Sequence, residues 1–202
     1  MNSVEFNRQN YTPSKIMCIG RNYVAHAKEL GNEVPAEPII FIKPNSAISD
    51  EFPNLDTTPV HYETELCFLI KNNTLAAVGL GLDLTKREIQ SRLKEKGLPW
   101  ERAKSFDASA LFTPFVALPQ DFQSLHFTLT INDRVAQKGD ISLMQFKPER
   151  ILKECQEFLS FEDGDVLMTG TPEGVGAIQK GNKYTVRLFQ YDKVLIEHSW
   201  SA

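Results

Sequence analysis

Apolar positions along this chain fall in short runs fenced by Gly, Pro, Asn or Asp. That rhythm marks strands joined by turns. The run KIMCIGRNY breaks at Gly20 and gives way to NYVAHAKELGN, whose spacing predicts a helix stopping at Gly31-Asn32. On such a helix His26 and Glu29, three apart, share a face. Ile39 to Ile42, between prolines, predicts a short strand entering a turn. His61 to Ile70 reads as one strand, buried on both faces near its end. A Lys71-Asn72-Asn73 turn and a second apolar strand ending near Asp83 follow. Thr85 to Lys96 predicts a helix, with Ile89 and Leu93 four apart. The segment LPWERAKSFDASALFTPFVAL carries mixed signals and predicts loop with short strands. Phe127, Leu129 and Ile131 alternate ahead of Asn132-Asp133, and Val135 resumes, which predicts a hairpin. Pro148 to Leu159 predicts a helix with proline at its start. GDVLMTGTPEGVG predicts a strand entering a glycine-rich turn, and two further strands flank Tyr191-Asp192.

This count of elements predicts an α+β fold that is mostly β, a β-roll or barrel-like sheet with a few helices. No internal repeat or low-complexity tract interrupts it. At 202 residues the chain suits one domain from residue 15 to 202, with a short N-terminal extension over 1–14. Hydrophobic residues make up 42% and charged residues 24%, the balance of a soluble globular protein. The net charge of -4 argues against a nucleic-acid partner. No apolar run reaches the roughly 18 residues of a membrane span, and the first residues lack the apolar core of a signal peptide. A cytoplasmic location is the simple expectation. Cys18, Cys67 and Cys155 form no C-x-x-C and read as reduced, buried thiols.

The chemistry concentrates in HYETELCF. Side chains alternate along a strand, so Glu63 and Glu65 project together. Two adjacent carboxylates repel, and a divalent cation reverses that sign. Oxygen ligands suit Mg²⁺ or Mn²⁺ better than Zn²⁺. Asp83 could fold back as a third ligand, or cap the helix after it. The plain alternative is an edge strand with both glutamates facing solvent. Arg21 could hold a substrate carboxylate or pair with an acidic side chain, and His61 could support the ligands or simply pack.

Six blocks decide between these readings. IGRNYVAHAKELGN, IFIKPNSAI, HYETEL, LDLTKREIQ, KGLPWERAKSFD and GDVLMTGTPEGVG occur in this order. Together they resemble the fumarylacetoacetate hydrolase family, in its small branch of acylpyruvate hydrolases and oxaloacetate decarboxylase-like proteins. The resemblance implies the fold of that family's C-terminal domain. It implies that Glu63, Glu65 and Asp83 bind one Mg²⁺ or Mn²⁺. His26 and Glu29 match a catalytic dyad on a lid segment around 20–32, and Lys104 matches a lysine beside the metal. Arg87, Gln90 and Thr171 match substrate-binding positions, and Arg21 joins them as a candidate from its own reading. The stretch between Glu65 and Asp83 is shorter than in many relatives, which bears on the pocket rim.

The activity implied is metal-dependent hydrolysis of the C–C bond of an acylpyruvate, giving pyruvate and a carboxylic acid. The alternative is an oxaloacetate decarboxylase or tautomerase, or a decarboxylase or isomerase of an aromatic-catabolism 2-oxo diacid. The resemblance also implies a homodimer acting on a small 2-oxo acid.

Overall fold

A computed structural model describes residues 1–29, 31 and 35–202. In chain order the strands are β1 (Val4–Phe6), β2 (Gln9–Tyr11), β3 (Lys15–Gly20), β4 (Ile39–Pro44), β5 (His61–Tyr62), β6 (Thr64–Lys71), β7 (Thr74–Asp83) and β8 (Ala110–Phe112). They continue as β9 (Val116–Ala117), β10 (Leu125–Ile131), β11 (Arg134–Asp140), β12 (Val166–Met168), β13 (Gly176–Ala177), β14 (Lys183–Gln190) and β15 (Lys193–Ser201). The α-helices are α1 (Val24–Glu29), α2 (Arg87–Glu95), α3 (Glu101–Lys104) and α4 (Pro148–Gln156). Strands dominate, and they form the curled, half-barrel-like α+β arrangement expected from the pattern.

The larger sheet has the order β4-β3-β12-β6-β7-β8, with β9 also on β7, and the second sheet has the order β11-β10-β14-β15. β6 is central, between β12 and β7, and its alternation builds two cores. Leu66, Phe68 and Ile70 join the main cluster with Phe127, Leu129, Val186 and Leu188 of the second sheet. Cys67 and Leu69 face the other way, into a smaller cluster sealed by Val4 and Phe6 of the β1–β2 hairpin. That hairpin docks through a Phe115 N–H donated to Glu5 O at 2.7 Å. All three cysteines are buried free thiols. Among the described residues no helix is long and apolar enough to cross a membrane.

Several boundaries differ from the sequence expectation, each for a local reason. The single strand expected over His61–Ile70 is interrupted at Glu63. His61 there exchanges backbone hydrogen bonds with Thr85, at 2.8 and 3.0 Å. That exchange also holds Thr85 extended, so the following helix begins at Arg87. Asp83 is the last residue of β7 and caps no helix. The mixed-signal stretch contains α3, whose single turn is too short to show a helical period. The helix begun at Pro148 closes at Gln156, before the expected Leu159. The predicted stop at Gly31-Asn32 and the far end of the segment 20–32 fall partly outside the described residues.

Candidate active site

One hairpin assembles the acidic cluster. β6 and β7 are joined by Asn72-Asn73, both with positive φ, the conformation of a tight two-residue turn. Their register sets Glu65 opposite Gly81, and Asp83 N–H donates to Glu63 O at 2.8 Å. A Cβ at Gly81 would lie 2.7 Å from Cys67 Sγ, so glycine is what lets the strands close here. Carboxylate oxygens of Glu63, Glu65 and Asp83 lie within 4.8 Å of one another, and all three residues are buried. This excludes the solvent-facing edge strand.

Cations converge on the cluster. Lys104, 3% exposed, donates to Glu63 Oε2 at 2.8 Å, Asp83 Oδ2 at 2.6 Å and Thr85 Oγ1 at 2.7 Å. Arg87 pairs with the other Glu63 oxygen and donates to Gln90 Oε1 at 2.7 Å. Burial pushes the Glu63 pKa up, but Lys104 and Arg87 outweigh it and hold the carboxylate well below its usual range. Glu65 goes the other way. Burial and then the Asp83 charge raise it well above the usual range, and the Gly170 N–H at 2.7 Å offsets only part of that. Burial opposes the Lys104 charge, yet Asp83 and Glu63 raise its pKa overall.

The cluster fits a hard divalent cation. Its donor set is all carboxylate oxygen. Asp83 Oδ1 is buried and accepts no hydrogen bond, although Lys43 Nζ lies 2.9 Å away as an ion pair. Bringing a cation near Glu65 would remove the like-charge repulsion that now favours its protonated form.

His26 is 5% exposed on α1, and its Nδ1 lies 3.3 Å from Glu29 Oε2. Glu29 also accepts from Gly174 N–H at 3.2 and 3.3 Å. Glu29 therefore orients the ring with Nδ1 as donor, leaving Nε2 as a base. Burial lowers the His26 pKa, which favours the neutral ring.

A small cleft is lined by His26, Glu63, Glu65, Asp83 and Lys104 together with Arg21, Arg87, Gln90 and Thr171. Of the residues singled out from the sequence as site candidates, Glu29 and His61 do not line it. Arg21 has φ 59°, and its buried Nε has no hydrogen-bond partner. His61 stands beside the cluster rather than in the wall. Its pKa is lowered by burial, then by Arg87, and its Nδ1 is unpartnered.

Other contributors escaped the sequence reading. Lys43, wholly buried, backs Asp83. Its signal was a lysine closing an apolar run, IIFIKP. Lys94 lines the cavity from α2, and its spacing of four from Gln90 and seven from Arg87 was readable as one helix face. Phe41 and Trp100, ring centroids 5.9 Å apart, form an apolar wall with no local sequence signal.

A buried carboxylate trio, a histidine–glutamate pair and a cation-lined cavity together make up a candidate metal site. The profile "Fumarylacetoacetate (FAA) hydrolase C-terminal" matches residues 15–197, and the chain belongs to the fumarylacetoacetate hydrolase family. It is 37% identical over 195 residues to the oxaloacetate tautomerase YcgM of Escherichia coli (strain K12), covering 88% of this chain and 89% of that one. It is 38% identical over 194 residues to a mitochondrial oxaloacetate tautomerase of Schizosaccharomyces pombe, covering 86% and 88%. Among solved structures, a fumarylpyruvate hydrolase from Pseudomonas aeruginosa in complex with Mn²⁺ and pyruvate superposes with a TM-score of 0.89, at 29% identity over 99% of this chain and 94% of that one.

Proposed function

We propose that this protein catalyses metal-dependent keto–enol interconversion of oxaloacetate. The observation that carries the reading is the charge of the cavity. Arg21, Arg87 and Lys104 line it, and Lys43 stands behind Asp83, against three carboxylates. A divalent cation would enlarge that positive excess. A substrate with two carboxylates meets it, whereas acetylpyruvate, with one, leaves more of it unmatched. The activity named for the Escherichia coli and Schizosaccharomyces pombe relatives supports the same choice. The charge disfavours a monocarboxylate acylpyruvate, and over a dicarboxylate one such as fumarylpyruvate the alternative raised from the sequence is favoured by the activity named for these relatives.

Glu63, Glu65 and Asp83 would hold Mg²⁺ or Mn²⁺, which when bound polarises the 2-oxo group and stabilises charge on its oxygen. Lys104, Arg87, Gln90 and Thr171 bind and orient the oxygens of the 2-oxo acid. Neutral His26, held by Glu29, takes a proton from C3 through Nε2. The C–H electron pair moves into a C2–C3 double bond while the carbonyl pair moves onto the oxygen. Return of the proton to that oxygen completes the enol, and the reverse sequence regenerates the ketone.

Hydrolysis of an acylpyruvate is the second reading. It is supported by the His26–Glu29 pair, which can equally deprotonate water, and by the likeness to the fumarylpyruvate hydrolase. The expected homodimer is part of the proposal, on the family resemblance.

The deciding experiment follows metal-stripped protein, with and without Mg²⁺ or Mn²⁺. Decay of the enol absorbance of oxaloacetate, CO₂ release and cleavage of acetylpyruvate and fumarylpyruvate are measured in parallel, each corrected for the metal-only rate. Acceleration of enol decay that needs metal and disappears in Glu65→Ala is the expected result. Dominant diketone cleavage would transfer the assignment to the hydrolase, and dominant CO₂ release to a decarboxylase.

A further inference from the structure

The ladder between β12 and β6 ends just short of the candidate site, and a side chain from the other sheet takes its place. The two strands pair Val166 with Leu69, Leu167 with Phe68 and Met168 with Cys67. Thr169 N–H carries the ladder on to Leu66 O at 3.1 Å. In the same register Thr171 would stand opposite Thr64 and accept its N–H. The chain instead departs at Gly170, with φ 95°, and Gly170 N–H reaches the Glu65 carboxylate. The carboxamide of Gln137, from β11, fills the gap. Its Oε1 accepts from Thr64 N–H at 3.0 Å, and its Nε2 donates to Thr171 Oγ1 at 2.8 Å and to Pro172 O at 3.0 Å. Gln137 is 1% exposed, so these groups have no water to replace it.

We propose that Gln137 is a positioning residue of this site, its carboxamide standing in for a peptide unit between Thr64 and Thr171. Thr64 lies between the two glutamates, so fixing its backbone fixes the spacing of Glu63 and Glu65. Thr171 Oγ1 accepts a hydrogen bond from Gln137 Nε2, which leaves its own O–H to donate to a substrate oxygen in the cavity it lines. One buried amide thus sets both the ligand pair and the polarity of a substrate contact. The inference rests on the metal and 2-oxo acid reading above.

Two variants separate the halves of this role. Gln137→Glu keeps an acceptor for Thr64 N–H but turns the donor toward Thr171 into an acceptor. Gln137→Leu removes both. Mn²⁺ affinity is read by calorimetry. Pyruvate affinity of the Mn²⁺-loaded protein is read by tryptophan fluorescence, since Trp100 lines the cavity. Gln137→Leu should weaken Mn²⁺ by about 10- to 100-fold, as loss of a group that orients ligands does. Gln137→Glu should largely restore Mn²⁺ affinity while weakening pyruvate by about tenfold, the effect of one hydrogen bond to a charged group. Mn²⁺ and pyruvate affinities unchanged in both variants, whatever their melting temperatures, would reduce Gln137 to a structural residue. Wild-type Mn²⁺ binding no tighter than that of Glu65→Ala would overturn the metal-site reading and this inference with it.

Discussion

Replacing Lys43 by Met tests whether the cations behind the cluster hold it together. The Lys43 side chain is wholly buried, with its ammonium 2.9 Å from Asp83 Oδ1. At that separation and an effective dielectric of about 20, the attraction is roughly 6 kcal/mol before desolvation is subtracted. Removing one partner of a buried pair costs about 3–5 kcal/mol, chiefly because the other charge stays buried. Asp83 keeps Lys104 Nζ at 2.6 Å, which places Lys43→Met near the lower end, at about 3 kcal/mol. For a chain of this size that lowers Tm by roughly 6–12 °C. The assay is urea unfolding in EDTA, so that bound metal contributes nothing. Asp83→Asn and the double variant complete the cycle. If the pair is coupled, the double variant is more stable than the sum of the single losses allows, by about 1 kcal/mol or more. Additivity within about 0.5 kcal/mol would refute the argument and leave Lys43 as a packing residue.

Three further outcomes are expected. Burial lowers the His26 pKa, so the neutral base persists below pH 6.5; the acid limb of kcat/KM should fall below that value, and Glu29→Gln should move it lower still, since Glu29 raises the ring's pKa. A limb above pH 6.5 would exclude His26 as the base. Mn²⁺ at about 100 times its Kd should stabilise the stripped protein by roughly 2.7 kcal/mol in a thermal melt, and Glu65→Ala should abolish the shift. Gly170→Ala forces a Cβ to within 2.8 Å of Asn22 Cβ at φ 95°; it should cost roughly 1–3 kcal/mol in urea unfolding and weaken Mn²⁺ binding in the same preparation.

Hairpins were legible in the sequence because their signals are local. Phe127, Leu129 and Ile131 alternate, and Asn132-Asp133, both with positive φ, turn the chain back. Parallel pairing of β3 with β12 was not legible, since it joins segments some 150 residues apart with no shared period. Buried cations were the other blind spot. Lys43 and Lys104 look like ordinary surface lysines until the sheet is folded, and Gln137 occupies a strand whose neighbours Val135 and Lys138 are exposed. Resemblance supplied Lys104 but had nothing to say of Lys43 or Gln137.

Even the convergence of Glu63, Glu65 and Asp83 was only half readable. From the turn at Asn72-Asn73, Lys71 pairs with Thr74 and Ile70 with Leu75, a register that would carry Glu63 opposite Leu82. Asp83 would then project from the opposite face. The ladder shifts between Leu69 and Ile70, where Leu69 pairs with Ala77 and Ala76 is the extra residue. That single bulge moves Asp83 opposite Glu63 and onto the face of Glu65. Nothing in NNTLAAVG announces it, because a bulge is selected by packing across strands rather than by the local chain. The acidic residues are visible in the sequence, while the decision that they form one site is made by one alanine that β6 leaves without a partner in its ladder.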